Sequence, residues 1–181
     1  MKCVVQRVSS ASVSVNKKIV SKIGKGLFVL VGIKDGDTEK DAEFLAEKLT
    51  KLRIMSDQTG KMNLTVNDVG GEMLVVSQFT LYADTSGGNR PSFVKAARPE
   101  IAQPLYEYFI TAFKKTPDFQ SGDELNADMS SSFRGNPAFQ SGEDVISKLK
   151  AQSVKVKTGK FGEYMEIETV LDGPVTVILD H

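Results

Sequence analysis

Residues 3–33 hold the pattern that most restricts the fold. "CVVQRVSSASVSV" alternates, setting Val5, Arg7, Ser9, Ala11, Val13 and Val15 along one side, and a period of two is the mark of a strand. "NKK" at 16–18 turns the chain into "IVSKIG", and "GLFVLVGI" follows as a short apolar run that fits a buried strand. The first third therefore reads as a β-meander.

The rest adds helices and more strands. A helix is predicted from about Thr38 to Leu52: Thr38 and Asp41 resemble a capping box, and Ala42, Leu45, Leu49 and Leu52 recur at spacings of 3, 4 and 3. "LRIMSD" and "GEMLVVSQFTLYA" predict two strands. After "RPSF", Ile101, Leu105, Phe109 and Ala112 predict a second helix, in which Pro104 marks the first regular turn or a kink. Two final strands are expected at 162–171 and 175–180. The order gives a single α/β or α+β domain over 1–181, with a mostly antiparallel sheet and two main helices. Residues 116–147 break the pattern. They are rich in Ser, Gly, Asp and Asn, repeat "FQSG" at Phe119 and Phe139, and read as a surface insertion.

Composition narrows the chemistry. Cys3 is the only cysteine, so no intrachain disulfide can form. The N-terminus runs straight into strand-like sequence without a signal-peptide hydrophobic stretch, and no run is long enough to span a bilayer; the cytosol is the expected compartment. The only histidine is His181, which argues against a built-in Ser-His-Asp or Cys-His machine. Without clustered Cys or His no zinc site is expected, and no cofactor. A proton acceptor near neutral pH must then be a carboxylate, a water or a group on the substrate. Formal charge is zero, but 116–147 holds six acids against Arg134 alone, which leaves the other residues with 22 bases and 17 acids. A mildly basic body leaves room for a nucleic-acid partner. Lys17, Lys18, Lys22 and Lys25, spread over a hairpin, read as a solvated face.

Three stretches could carry chemistry. In "LVVSQFTLYAD", 74–84, a core strand places Ser77, Gln78 and Thr80 in its middle, and buried polar groups are costly unless paired or facing a ligand. As a strand, Ser77, Phe79 and Leu81 share one face and Gln78, Thr80 and Tyr82 the other, so they form no single polar stripe. An ordinary strand and a site both fit. In "LDGPVTVIL", 171–179, Pro174 lacks the N–H a sheet ladder needs, so it sits at an edge, bulge or turn, and Gly173 would let backbone approach a ligand. "TSGGNRPSF", 85–93, is a Gly-rich loop with one Arg but no Walker ending.

Taken together, "VVQRVSSASVSV", "GLFVLVGI", "KMNLTVNDVGGEMLVVSQFTLYAD", "RPSF", "TGKFGEYM" and "GPVT" resemble the D-aminoacyl-tRNA deacylase family, over residues 1–115 and about 149–181. The resemblance implies a compact β-barrel-like domain forming a homodimer with active sites at the interface, and D-aminoacyl-tRNA as substrate. It implies that Ser77, Gln78 and Leu81, with Phe79 and Thr80 between them, line the pocket for the terminal adenosine and its ester. It implies that Gly173 and Pro174, as a Gly-cis-Pro pair, reach into the partner subunit's pocket and exclude an L side chain. Arg7 would orient that dipeptide and Met165 line the pocket. The chain departs from many members before "RPSF", where it has Ser86-Gly87-Gly88-Asn89 in place of a basic residue.

An aminoacyl ester is already activated, so positioned water and a stabilised oxyanion suffice. The resemblance favours activation of that water by the adenosine 2′-hydroxyl, with backbone N–H groups near Phe79 and Thr80 as oxyanion donors. Two rivals stand beside it: a Thr80 nucleophile, for which the sequence supplies no base, and a non-catalytic nucleic-acid-binding module.

Overall fold

The computed structural model describes residues 1–115 and 154–181; the expected insertion at 116–147 lies outside the described residues. The meander forms, but the alternation breaks in mid-strand, where Val8 is buried and Ser9 exposed. Strand β1 (Lys2–Val15) turns through Asn16 and Lys17, at φ 51° and 63°, into β2 (Lys18–Ile23), and β3 (Gly26–Gly32) continues along the same edge. Ala11–Val15 of β1 pair with β2 and Lys2–Val8 pair with β3, so β2 and β3 act as one bent strand.

After α1 (Glu39–Thr50) and a short hairpin of β4 (Met55–Ser56) and β5 (Met62–Leu64), strand β6 (Glu72–Ser77) lies parallel to β3. Beyond α2 (Pro99–Lys115), β7 (Lys155–Thr158) lies parallel to β6, and β8 (Glu166–Asp180) runs antiparallel along the other edge of β1. The six-stranded sheet nearly closes into a barrel, because the bent β2 swings back to β7, where Ser21 Oγ donates to the Thr158 carbonyl at 2.5 Å. The fold is α+β, with antiparallel pairing centred on β1 and a parallel run of β3, β6 and β7.

Both helices pack on one face of the sheet. At the start of α1 the Asp41 carboxylate accepts from the Thr38 N–H at 2.7 Å and the Thr38 hydroxyl at 2.6 Å, which holds its pKa below the usual carboxylate range. Ala42, Leu45, Ala46 and Leu49 form the buried stripe of α1. Phe109 and Phe113 of α2 are fully buried and meet edge-on at 5.0 Å. Pro104 sits inside α2, so Glu100 has no amide donor four residues on. A second, smaller core of Val8, Val13, Ile23, Phe28, Leu74 and Val76 fills the opposite face. Among the described residues no helix is long and apolar enough to cross a membrane.

Three sequence expectations change. The strand read through 83 stops at Ser77. The two expected C-terminal strands are one strand, β8, because β1 supplies a continuous partner on either side of Pro174. Strand β7 is an addition; its "KVKT" is too short and too charged to stand out in sequence.

Glu72 ties β6, β7 and the turn between β2 and β3 together. Its carboxylate accepts from the Gly24 N–H at 2.9 Å and lies 3.1 Å from Lys157 Nζ, and its pKa is lowered, first by the Gly24 bond. A carboxyl whose folded-state pKa lies below its unfolded one stabilises fully above the unfolded value of about 4.3, and that contribution is lost as pH falls through the folded value. Glu72→Gln is expected to cost about 1 kcal/mol at pH 7, since the carboxylate is partly solvated. The variant should also lose less stability than the parent as pH falls from neutral through the lowered carboxyl's range, below about 4.3. Thermal melts across pH measure both; parallel curves for the two proteins would remove Glu72 from the acid transition.

Candidate active site

The parallel pairing of β3 and β6 explains how the polar run at 77–80 is placed. The ladder ends at Val31 and Ser77, and the Gln78 N–H makes a last bond to the Val31 carbonyl at 2.7 Å. The chain then closes into a 3₁₀ turn, Phe79–Tyr82, with the Leu81 N–H on the Gln78 carbonyl and the Ala83 N–H on the Thr80 carbonyl. Ser77, Gln78 and Thr80 are thus the strand end and the turn that leaves it, and the alternation read through them does not apply. The turn lies against Gly32 of β3, where a Cβ would stand 3.0 Å from Leu81 Cβ and 3.2 Å from the Gln78 carbonyl oxygen. The amides of Phe79 and Thr80 precede the turn's own bonds and have no acceptor within it.

Ser77, Gln78 and Phe79 form one wall of a cleft of about 670 Å³. The facing wall is the loop from β7 to β8, with Phe161, Tyr164 and Met165; the floor is Ala97, just before α2, and Ala102 in its first turn. The Ala97 N–H bonds the Ile33 carbonyl at 3.0 Å, which fixes that floor to the end of β3. Phe79 and Phe93 meet edge-on at 5.1 Å, and both are exposed, so the rim carries an aromatic surface open to solvent. The lining is mostly apolar with a few convergent polar groups, the usual character of a small-molecule site.

Acid–base equipment is sparse. Among the described residues Glu163 is the only carboxylate in the lining. The Thr80 hydroxyl accepts from the Gln78 side-chain amide, a group that cannot take its proton. His181 stacks on Phe44 at 4.1 Å and is paired with Asp41 at 3.6 Å. Cys3 is in the core, where burial pushes its thiol up to about 12. Among the described residues no group of three His, Cys, Asp or Glu side chains could hold a metal ion.

The remaining expected residues lie elsewhere. Leu81, within the turn, lies against Gly32 and lines a second hollow of about 420 Å³ with Lys2, Tyr82 and Lys95. Arg7, Gly173 and Pro174 lie outside the lining of the cleft. Opposite Arg7 the β1–β8 register jumps: Gln6 pairs with Thr176 and Val8 with Leu171, so Asp172–Val175 bulge out of the ladder. The Gly173–Pro174 peptide in this bulge is cis, and Gly173 has φ +133°. Arg7 is buried beneath it. Its Nε donates to the Asp172 carbonyl at 3.0 Å and faces the Asp172 carboxylate at 3.2 Å; Nη1 donates to the Ile54 carbonyl at 2.9 Å and to Ser56 Oγ at 3.1 Å. Phe93, Phe161 and Tyr164 are cleft residues that sequence reasoning misses, although "RPSF" and "TGKFGEYM" contain them.

Comparison with known proteins gives a consistent result. The family model described as D-Tyr-tRNA(Tyr) deacylase matches residues 4–136 and 123–180. The D-aminoacyl-tRNA deacylase of Thermosipho melanesiensis is 44% identical over 180 residues, covering 99% of this chain and 97% of the relative. That of Desulfatibacillum aliphaticivorans is 45% identical over 180 residues, covering 99% of both. The solved structure of a c-Myc DNA Unwinding Element Binding Protein superposes with a TM-score of 0.75 at 35% identity, covering 100% of this chain and 99% of that one. A second, of a probable eukaryotic D-amino acid tRNA deacylase, has a TM-score of 0.69 at 16% identity, with coverage of 99% and 98%, and shares the fold.

Proposed function

The chain belongs to the D-Tyr-tRNA(Tyr) deacylase family and hydrolyses D-aminoacyl-tRNA, and from that premise we propose that the ester is cleaved in the cleft walled by Ser77, Gln78 and Phe79. The observation that carries this reading is the turn after Ser77: among the described residues nothing accepts the backbone N–H of Phe79, which lines the cleft, or of Thr80, the next residue of the turn, and the cleft holds no histidine or thiol. Such amides suit a carbonyl oxygen that becomes an oxyanion. With so little acid–base equipment on the protein, the adenosine 2′-hydroxyl is the group that activates water. Met165 and Phe161 face the turn and suit the adenine and ribose. Thr80 supports the turn through the Gln78 amide.

A second copy of the chain completes the site in this reading. Val170, Leu171 and Ile178 of β8 are exposed, an apolar surface on the strand that carries the Gly173–Pro174 bulge. We infer that this face pairs with its counterpart and that the bulge enters the partner's cleft, where Gly173 and Pro174 leave room for a hydrogen and none for an L side chain.

The test is time-resolved release of the amino acid from D-Tyr-tRNA, with L-Tyr-tRNA alongside. Release from the D-ester alone is expected; equal release from both esters would remove the Gly173–Pro174 bulge as the element that excludes an L side chain. Thr80→Ala separates the two hydrolytic routes. It should keep the rate within about tenfold of the parent, a barrier change of about 1.4 kcal/mol. Complete loss with tRNA binding intact, or a trapped acyl-threonine, would establish Thr80 as the nucleophile.

A further inference from the structure

Two lysine-bearing segments have no part in the chemistry described above. Residues 16–26 carry Lys17, Lys18, Lys22 and Lys25 without an acid, and residues 154–160 carry Lys155, Lys157 and Lys160 without an acid. The barrel closure puts them side by side. Ser21 Oγ donates to the Thr158 carbonyl and Lys157 Nζ to the Lys22 carbonyl at 2.6 Å, between residues 137 and 135 positions apart in sequence. A hairpin that reads alone as a solvated face thus becomes half of a continuous basic edge.

The charges on this edge are available. Lys17, Lys18, Lys22, Lys25, Lys155 and Lys160 are exposed, and Lys157 is half-buried. Glu72 lies within the edge and is engaged by Lys157 and the Gly24 N–H. Glu166 and Glu168 of β8 pair with Ser14 and Ser12 on the far edge of β1 from β2, and bound the basic region there. At its other end the edge leads into the cleft: Lys160 is followed directly by Phe161, the first residue of the cleft's facing wall.

We propose that this lysine edge of β2 and β7 holds the phosphate backbone of the tRNA acceptor arm and delivers its 3′ end to the cleft. The proposal rests on the cleft being the site of ester hydrolysis. Ammonium groups on flexible stems bind successive phosphates without reading sequence, which suits an enzyme that must accept many tRNAs. Binding of this kind releases counterions and weakens steeply with salt.

The test uses a variant with Lys22, Lys25 and Lys160 all changed to Glu; none of these ammonium groups is engaged in an ion pair among the described residues. With D-Tyr-tRNA as substrate, KM should rise by about tenfold or more at low salt while kcat stays within about threefold, and the slope of log(1/KM) against log[salt] should shrink by about three. The corresponding Gln variant should fall between the two, with an unchanged melting temperature. An unchanged KM and salt slope would overturn the proposal, and so would a loss confined to kcat. If the triple Glu variant does not fold, the Lys160→Gln and Lys22→Gln single variants carry the same comparison. Filter binding of uncharged tRNA separates this proposal from the reading of the cleft. Salt-sensitive binding that the variant loses supports the lysine edge even if the parent hydrolyses nothing, and equal binding by parent and variant refutes it.

Discussion

Replacing Arg7 by methionine is expected to lower turnover of D-aminoacyl-tRNA by about a hundredfold or more, the scale of a misplacement of about 1 Å at a reacting centre. The Arg7 guanidinium bonds both sides of one junction: the Asp172 carbonyl and carboxylate in the bulge, and the Ile54 carbonyl and Ser56 hydroxyl beneath it. Methionine fills the volume and makes none of these bonds. It leaves a buried carbonyl without a donor, at a cost of about 1–3 kcal/mol, so the melting temperature should fall as well. Gly173 and Pro174 then lose the group that fixes the residue before them. Arg7→Lys is the informative companion, because a single ammonium cannot bridge the two sides as the planar fork does. It should keep more of the stability than of the activity. Full turnover by Arg7→Met would show that the bulge holds its own shape.

Gly32→Val should have the second-largest effect, acting from beneath the turn. A bare Cβ at this position already stands 3.0 Å from Leu81 Cβ and 3.2 Å from both the Gln78 carbonyl oxygen and the Tyr82 ring. The two further methyls of valine cannot be accommodated unless the turn at 79–82 is pushed off β3. The expected result is a kcat reduced by about a hundredfold, with a stability loss of about 1–3 kcal/mol from overpacking. Gly32→Ala should show a smaller shift of the same kind. Steady-state kinetics and melts on the pair test this; a Gly32→Val variant with parental kcat would mean that the amides of Phe79 and Thr80 are not held where the reaction needs them.

The regular elements were legible because their periodicity has a physical cause. The alternation of 3–7 and the 3, 4, 3 spacing of Ala42, Leu45, Leu49 and Leu52 each record a face turned to the core, whereas the alternation read on through Ser9 fails, because an irregularity near Val8 buries Val8, exposes Ser9 and passes Ala11 and Val13 to the second core. Capping at Thr38 and Asp41 was equally readable, being a contact between near neighbours. The site was less so. Phe79, Leu81 and Tyr82 continue an apolar alternation past Ser77, yet the ladder stops there because β3 ends at Gly32 and offers no further partner. Pro174 reads as the boundary between two strands, since no local pattern reports that a partner strand continues across a bulge. Phe93 and Phe161 sit in recognisable motifs, but which aromatic ring faces a cleft depends on elements from distant parts of the chain. Arg7 is legible through family resemblance alone; its burial and its four partners come from β4, the residue before it, and the β8 bulge.

The pairing of β1 with β8 also governs how the protein is born. Partners along that edge are more than 150 positions apart, so during synthesis β1 leaves the ribosome long before the strand that covers it. At the usual pace of translation the interval is on the order of ten seconds. Through that time one edge of a fourteen-residue strand offers unpaired N–H and C=O groups to any other extended chain. Pairing over such a separation is also intrinsically slow. The nascent chain therefore spends its vulnerable period with Arg7 already made and Asp172 still to come, and the Asp172–Val175 bulge is among the last features to take shape.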